Sequence, residues 1–316
     1  MPLGDQLQQL CQCSKSELVL VAPFIKTAVM SRLLEQIGDG VVLRCVTRWW
    51  PDEIASGVSD LEIWPLLKAR PNSTLLLRQH LHAKYFRADE ACLIGSANLT
   101  QTALGWKQPS NLELLIALPA SGHGLPAFEQ EVLSNAISVD DDLYHLVGEA
   151  VAQLPALPPH RDAEPFTMLS HTAETRAAYH VSVDHACWLP TLRNPSDLYR
   201  VYVGQMEAVT TASQEAALPD LEWLHIPPGL SSEVFQAFVA ALLLQQPIIH
   251  QIDSFVSTPK RFGAVRNLLS SLPYVAQQGL DASYTWQTLM RWLLYFLPSR
   301  YQMSTPNYSE IFGRRV

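Results

Sequence analysis

The chain has 316 residues, 48% hydrophobic and 16% charged, with a net charge of −8. That composition can bury a sizeable core and excludes a disordered chain, while the length allows one large domain or two of about 150 residues. No run approaches the roughly 18 apolar residues of a membrane span, and Met1 to Gln9 lack the basic-then-apolar pattern of a secretory signal.

In chain order, residues 3–13 read as a short helix and Glu17–Phe24 as a buried strand ended by Pro23. Thr27–Ile37 has helical spacing, Val41–Val46 is a second strand, and Pro51–Ala55 and Asp60–Ala69 are helices, the first opening on a proline tolerated in the first turn. Thr74–Leu77, Ala83–Arg87 and Ala91–Ile94 read as strands, Gly95–Asn98 as a turn, Leu99–Leu104 as a short helix and Asn111–Leu118 as a further strand. Leu125–Ile137 and Asp141–Leu154 read as helices, with Asp140 to Asp142 suited to a helix start. Strands alternating with helices imply an α/β sandwich on one sheet. The Pro-rich stretch 156–165 is the expected linker between residues 1–155 and a C-terminal domain, 166–316. In that second part Leu198–Val203 and Trp223–Ile226 are strand candidates, and Ser231–Leu244, Pro259–Leu272 and Ser283–Leu297 are helices. The expectation there is an α+β domain.

The cysteines, Cys11, Cys13, Cys45, Cys92 and Cys187, are odd in number, and Cys45 and Cys92 sit in apolar runs. They are expected to be reduced thiols of a cytoplasmic protein. Cys11 and Cys13 have no matching Cys/His pair elsewhere, so no metal site is expected.

Charge is unevenly spread. Residues 1–155 hold 11 Lys and Arg against 17 Asp and Glu, whereas residues 257–316 hold seven basic residues against two acidic ones. A local basic patch can bind nucleic acid on an acidic protein. Lys260, Arg261 and Arg266 are the candidates, with Tyr274, Tyr284, Trp286, Trp292, Tyr295 and Tyr301 interleaved. Basic and aromatic side chains together suit phosphate contact and base stacking, but periodic aromatics usually pack inward, and that reading is favoured.

The stretch from His82 to Thr100 carries the chemistry. In an extended segment residues i and i+2 share a face, so His82 and Lys84 would project side by side. An imidazole there can act as nucleophile or acid/base, and an ammonium beside it can stabilise charge building on a phosphate. Gly95 would let the backbone turn sharply, Ser96 and Asn98 would supply hydrogen bonds, and Glu113, on the next strand, could orient a histidine.

Together, His82-x-Lys84 with Asp89, then Gly95-Ser96-x-Asn98, resemble the HxKxxxxD…GSxN motif of the phospholipase D superfamily. Glu113 resembles the acidic residue that often follows, and the Glu17–Phe24 and Val46–Trp49 stretches are similar to the start of such domains. The resemblance covers roughly residues 15–140 and implies a phospholipase D-like α/β/α sandwich with a mixed sheet. It implies catalysis without metal or cofactor: one histidine attacks phosphorus, a second protonates the leaving oxygen, lysines and asparagines bind phosphate oxygens, and Asp89 is mainly structural. None of the nine other histidines has a lysine two positions on, so a two-histidine site requires two chains, as in a C2 homodimer. Single-motif members are commonly nucleases, including restriction endonucleases and phage-defence subunits. DNA rather than RNA is therefore the expected substrate, with a helicase or translocating ATPase open as a further partner. A phospholipid hydrolase or phosphatidyl transferase, and a non-catalytic nucleic-acid-binding subunit, are the alternatives.

Overall fold

In a computed structural model of the chain, residues 2–122, 124–155, 188–277, 279–306 and 310–315 are described. The expected linker 156–165 and Cys187 lie outside them.

The first half runs α1 (Leu3–Cys13), β1 (Glu17–Val21), α2 (Thr27–Leu34), β2 (Val42–Thr47), α3 (Pro51–Ala55), α4 (Ile63–Ala69), β3 (Ser73–Leu77), β4 (Tyr85–Ala88), β5 (Ala91–Gly95), β6 (Leu115–Pro119), α5 (Leu125–Ser134), β7 (Ile137–Ser138) and α6 (Asp141–Gln153). The strands form one seven-stranded sheet in the order β6-β5-β4-β1-β2-β3-β7. β1, β2 and β3 pair in parallel through helical crossovers, and every other pairing is antiparallel. This is the mixed sheet of an α/β fold.

Strand alternation sends side chains to two separate cores. Leu18, Leu20, Phe86 and Leu93 join the large core on one face. Val19, Val21, Tyr85 and Cys92 face the other way, where Val132 of α5 closes a smaller core. Glu129 of α5 accepts hydrogen bonds from Tyr85 Oη (2.8 Å) and Arg87 Nε (2.6 Å), so an ion pair fastens α5 to the sheet.

The second half is mostly helical: α7 (Ser196–Tyr202), α8 (Thr211–Leu224), α9 (Ser232–Leu244), α10 (Pro247–Phe255), β8 (Lys260–Arg261), α11 (Phe262–Ser271), α12 (Pro273–Gln277), α13 (Ala282–Phe296), β9 (Tyr301–Ser304) and β10 (Ile311–Arg314). The last three strands form a small antiparallel sheet, β8-β10-β9. Asp253, with its side chain only 6% exposed, ties this sheet down by receiving Arg300, Arg314 and the Tyr301 hydroxyl. The halves share one continuous core, with α6 packed on α9. Gln245 Nε2 donates to the Trp49 carbonyl oxygen at 2.9 Å across the junction.

Several expectations change. Leu198–Val203 and Trp223–Ile226 are not strands: the first is α7, and Trp223 lies near the end of α8. The β-branched and aromatic content of Leu198–Val203 suggested a strand, but Leu198 and Val201 turn one helical face into the core. Leu99–Leu104 forms turns rather than a helix, and Ile137 leaves the preceding helix to pair with Leu77. No single helix among the described residues is long and apolar enough to cross a membrane. Cys11, Cys45 and Cys92 are buried free thiols and Cys13 is an exposed one.

Candidate active site

The pairing of four strands places the motif at one end of the sheet. Val21, the last residue of β1, pairs with Tyr85, the first of β4. Gly95, the last of β5, pairs with Leu115, the first of β6. His82–Lys84, Gly95–Asn98 and Glu113 therefore all fall at this end.

His82 and Lys84 stand just before β4 rather than within a strand. The Gly95 N–H donates to the Lys84 carbonyl oxygen at 3.3 Å, carrying the ladder one residue past β4. The Lys84 ammonium folds back to donate to the His82 carbonyl oxygen at 2.8 Å. The His82 side chain is exposed. The positive charge of Lys84 first, then partial desolvation and the Arg48 guanidinium, hold the imidazole pKa below its ordinary 6.5. A neutral imidazole beside two cations is a base and nucleophile at neutral pH, placed where an anion would be attracted.

Arg48, in the Val46–Trp49 stretch, directly follows β2. Its side chain pairs with Glu53 and donates to the Leu81 carbonyl oxygen at 3.0 Å, which sets the cation next to His82. The local signal was weak, since 33 residues separate Arg48 from Leu81.

Gly95 serves a different purpose from the sharp turn expected of it. It ends β5 with no positive φ. A Cβ there would overlap the Leu114 carbonyl oxygen and stand 2.8 Å from its carbon. Glycine is needed because the β5 and β6 backbones approach so closely. Beyond it, Ser96 N donates to Leu114 O at 3.0 Å, and Leu114 N donates to Ser96 Oγ at 3.1 Å. The Ser96 hydroxyl in turn donates to Glu113. Asn98 is held through its neighbour: Leu99 N donates to Phe24 O at 3.1 Å, and Lys26 N to Leu99 O at 2.9 Å. Asn98 Oδ1 is buried with no hydrogen-bond partner among the described residues.

Glu113 precedes β6 rather than lying on it, and the bonds its carboxylate accepts come from Ser96 Oγ and Asn111 Nδ2 (3.2 Å). These bonds brace the Gly95–Asn98 turn. Asp89 sits in the β4–β5 turn with a φ of 49°. Its carboxylate accepts from the backbone N–H groups of Lys15 (2.7 Å), Ser16 (3.0 Å) and Glu17 (3.0 Å), stitching the hairpin to the start of β1. Desolvation works to raise its pKa, and these three N–H groups outweigh it, leaving the carboxyl below its ordinary 3.8.

The C-terminal basic residues lie elsewhere in the fold. Lys260 and Arg261 form β8 of the small sheet, and Arg266 lies on α11. Trp286, Trp292 and Tyr301 are fully buried, in line with the inward-packing reading, whereas Tyr284 is half exposed. Arg300 and Arg314 are engaged by Asp253. Among the described residues no group of three or more His, Cys, Asp or Glu side chains is placed to hold a metal ion.

No family model matches the chain, and no curated protein matches it. Solved structures similar to it include NucT from Helicobacter pylori, at 12% identity with a TM-score of 0.35, covering 43% of this chain and 89% of that one. Nuc, a phospholipase D family member from Salmonella typhimurium, matches at 15% identity and a TM-score of 0.35 over 43% of this chain and 90% of that one. The phosphatidylserine synthase of Haemophilus influenzae matches at 12% identity and a TM-score of 0.32, over 36% of this chain and 31% of that one.

Proposed function

We propose that the chain is a metal-independent phosphodiesterase, a nuclease in which His82 attacks phosphorus. The observation that carries this reading is the exposed, neutral-biased His82 imidazole, flanked by Lys84 and Arg48 and joined through Lys84 to the Gly95–Asn98 turn. An imidazole nitrogen forms a bond to phosphorus while the bond to the leaving oxygen breaks. Lys84 and Asn98 hold the non-bridging oxygens, so that charge building on them is stabilised in place. An imidazolium protonates the leaving oxygen, and water then displaces the histidine from phosphorus.

The proton donor is His82 of a second copy, which must carry a proton in this step while the attacking His82 is neutral. This chain has a single His-x-Lys, and a strongly apolar, exposed stretch adjoins the site: Leu112 is 102% exposed, Leu114 59% and Ile116 46%. These residues lie on and before β6, the edge strand of the large sheet. Apolar side chains on an open edge favour association, and an isologous contact there would bring two motif ends together. DNA is the proposed substrate.

The test is cleavage of labelled single- and double-stranded DNA and RNA in excess EDTA by wild type and His82→Ala. Cleavage by wild type alone supports the reading. Equal cleavage by both, or cleavage that EDTA abolishes, rejects it.

A further inference from the structure

Four basic residues alternate along the segment between β3 and β4: Arg78, His80, His82 and Lys84. The proposed reaction uses the last two. The segment is fixed from several sides. Arg78 N donates to Thr47 O at 2.8 Å, and Leu81 N to Arg78 O at 3.0 Å, closing a turn over Gln79 and His80. Trp50 Nε1 donates to Gln79 O at 2.9 Å, and Arg48 to Leu81 O at 3.0 Å. The His80 ring makes T-shaped contacts with two indoles, Trp50 at 6.1 Å and Trp223 of α8 at 5.3 Å between centroids. Trp223 is itself stacked on Trp188 at 4.6 Å. The second half of the chain thus helps hold an exposed histidine two residues before His82.

This segment forms one wall of a cavity of about 430 Å³, whose titratable lining is Arg78, His80, His82 and Glu131. One carboxylate therefore stands against a guanidinium and two imidazoles, and Lys84 and Arg48 add positive charge next to His82. Glu131 is a loose counterion. It lies 3.7 Å from Arg78, and its side chain is 72% exposed against 16% for Arg78. A long ion pair with one partner in solvent contributes little, so an anion inside the cavity can take the place of Glu131 at Arg78.

Two residues apart in the chain, His80 and His82 have Cα atoms no more than about 7 Å from each other. A guanidinium and an imidazole are the side chains that bind phosphate oxygens by charge-assisted hydrogen bonds. We propose that Arg78 and His80 form a second phosphate subsite, which takes the phosphate adjoining the one attacked by His82. The inference rests on the reading of His82 given above and deepens it. The substrate it names is a strand with consecutive phosphates rather than an isolated diester. The second half of the chain, through Trp223, sets the position of His80 and thereby supports binding of the strand.

The test uses the full chain and calorimetry. The probes are thymidine 3′,5′-bisphosphate, which carries two adjoining phosphates, and the thymidine 3′- and 5′-monophosphates. Hydrolysis of bis(p-nitrophenyl) phosphate is measured alongside. Wild type is expected to bind the bisphosphate about tenfold more tightly than either monophosphate, as an added hydrogen bond to a charged group supplies. His80→Phe keeps a ring against Trp50 and Trp223, loses the donor, and should bring the bisphosphate down towards the monophosphates. Glu131→Gln removes the competing carboxylate and should widen the preference, an effect that a loss of packing would not produce. Should His80→Phe fail to fold by thermal melting, the exposed Glu131→Gln variant decides. No preference in wild type, an unchanged preference in folded His80→Phe, or a preference that Glu131→Gln does not widen overturns the subsite. Diester hydrolysis without the preference rejects the subsite alone. The preference without hydrolysis keeps the subsite and rejects the catalytic reading of His82.

Discussion

The Gly95 N–H donates to the Lys84 carbonyl oxygen at 3.3 Å, and this bond joins the two parts of the motif, which are otherwise separated by the β4–β5 hairpin. It sets the lysine that flanks His82 against the turn that carries Ser96 and Asn98. The geometry of the site thus depends on how closely β5 can approach both neighbours.

Gly95→Ala tests that dependence. The added methyl overlaps the Leu114 carbonyl oxygen, which is backbone and cannot rotate away. Strand β6 must shift, taking with it the Ser96–Leu114 bonds and Glu113. Overpacking of this kind costs about 1–3 kcal/mol. Chemical denaturation is expected to show that loss, together with a fall in phosphodiesterase activity larger than the unfolded fraction accounts for.

The pH dependence follows from Lys84. Its charge is the largest influence lowering the His82 pKa, so the nucleophilic neutral form persists below pH 6.5 and is lost only as pH falls through the lowered value. The acid limb of kcat/KM should therefore lie below 6.5. In Lys84→Met the His82 pKa should rise towards 6.5, read by NMR titration of the imidazole, a shift that a purely structural lysine would not produce.

Asp89→Ala removes the acceptor of three backbone N–H groups at the start of β1. These bonds are partly exposed, and the expected loss is about 1–2 kcal/mol. Because the folded-state pKa of Asp89 is depressed, its contribution is present above the ordinary carboxyl value and vanishes as pH falls through the lowered one. Wild type and variant should converge in stability at acid pH, as measured by urea unfolding across pH.

The legibility of the sequence varied for physical reasons. Strand β1 was readable because it is buried and apolar almost throughout, and β2 because Leu43, Cys45 and Val46 form a buried apolar set. The motif was readable because its residues lie within 17 positions of one another, from His82 to Asn98, in fixed spacing. Strand β7 has only two residues and no period to detect, and α10 was hidden by the proline that opens it. The buried contact between Gln79 and Gln246 left no local trace, since the two are 167 residues apart and meet only in the folded chain. Arg300 and Arg314 read as part of a basic surface, yet both turn inward to Asp253.

That inward pairing makes its own prediction. Asp253→Ala leaves Arg300, whose side chain is only 16% exposed, with the exposed Asp142 at 3.1 Å as its remaining carboxylate. Removing one member of such a pair costs about 3–5 kcal/mol, and the Asp142 that Arg300 keeps and the partial exposure of Arg314 favour the lower end. The variant is expected to lose the small sheet's protection in hydrogen exchange while the seven-stranded sheet retains its own.

The central claim is that His82 becomes bonded to phosphorus during turnover. Wild-type protein mixed with a labelled oligonucleotide, quenched in denaturant within the first turnover and mapped by peptide mass, reads this directly. The account predicts an acid-labile nucleotide adduct on the peptide containing His82, absent from His82→Asn. Cleavage of the oligonucleotide with no adduct on that peptide, or undiminished cleavage by His82→Asn, would contradict it.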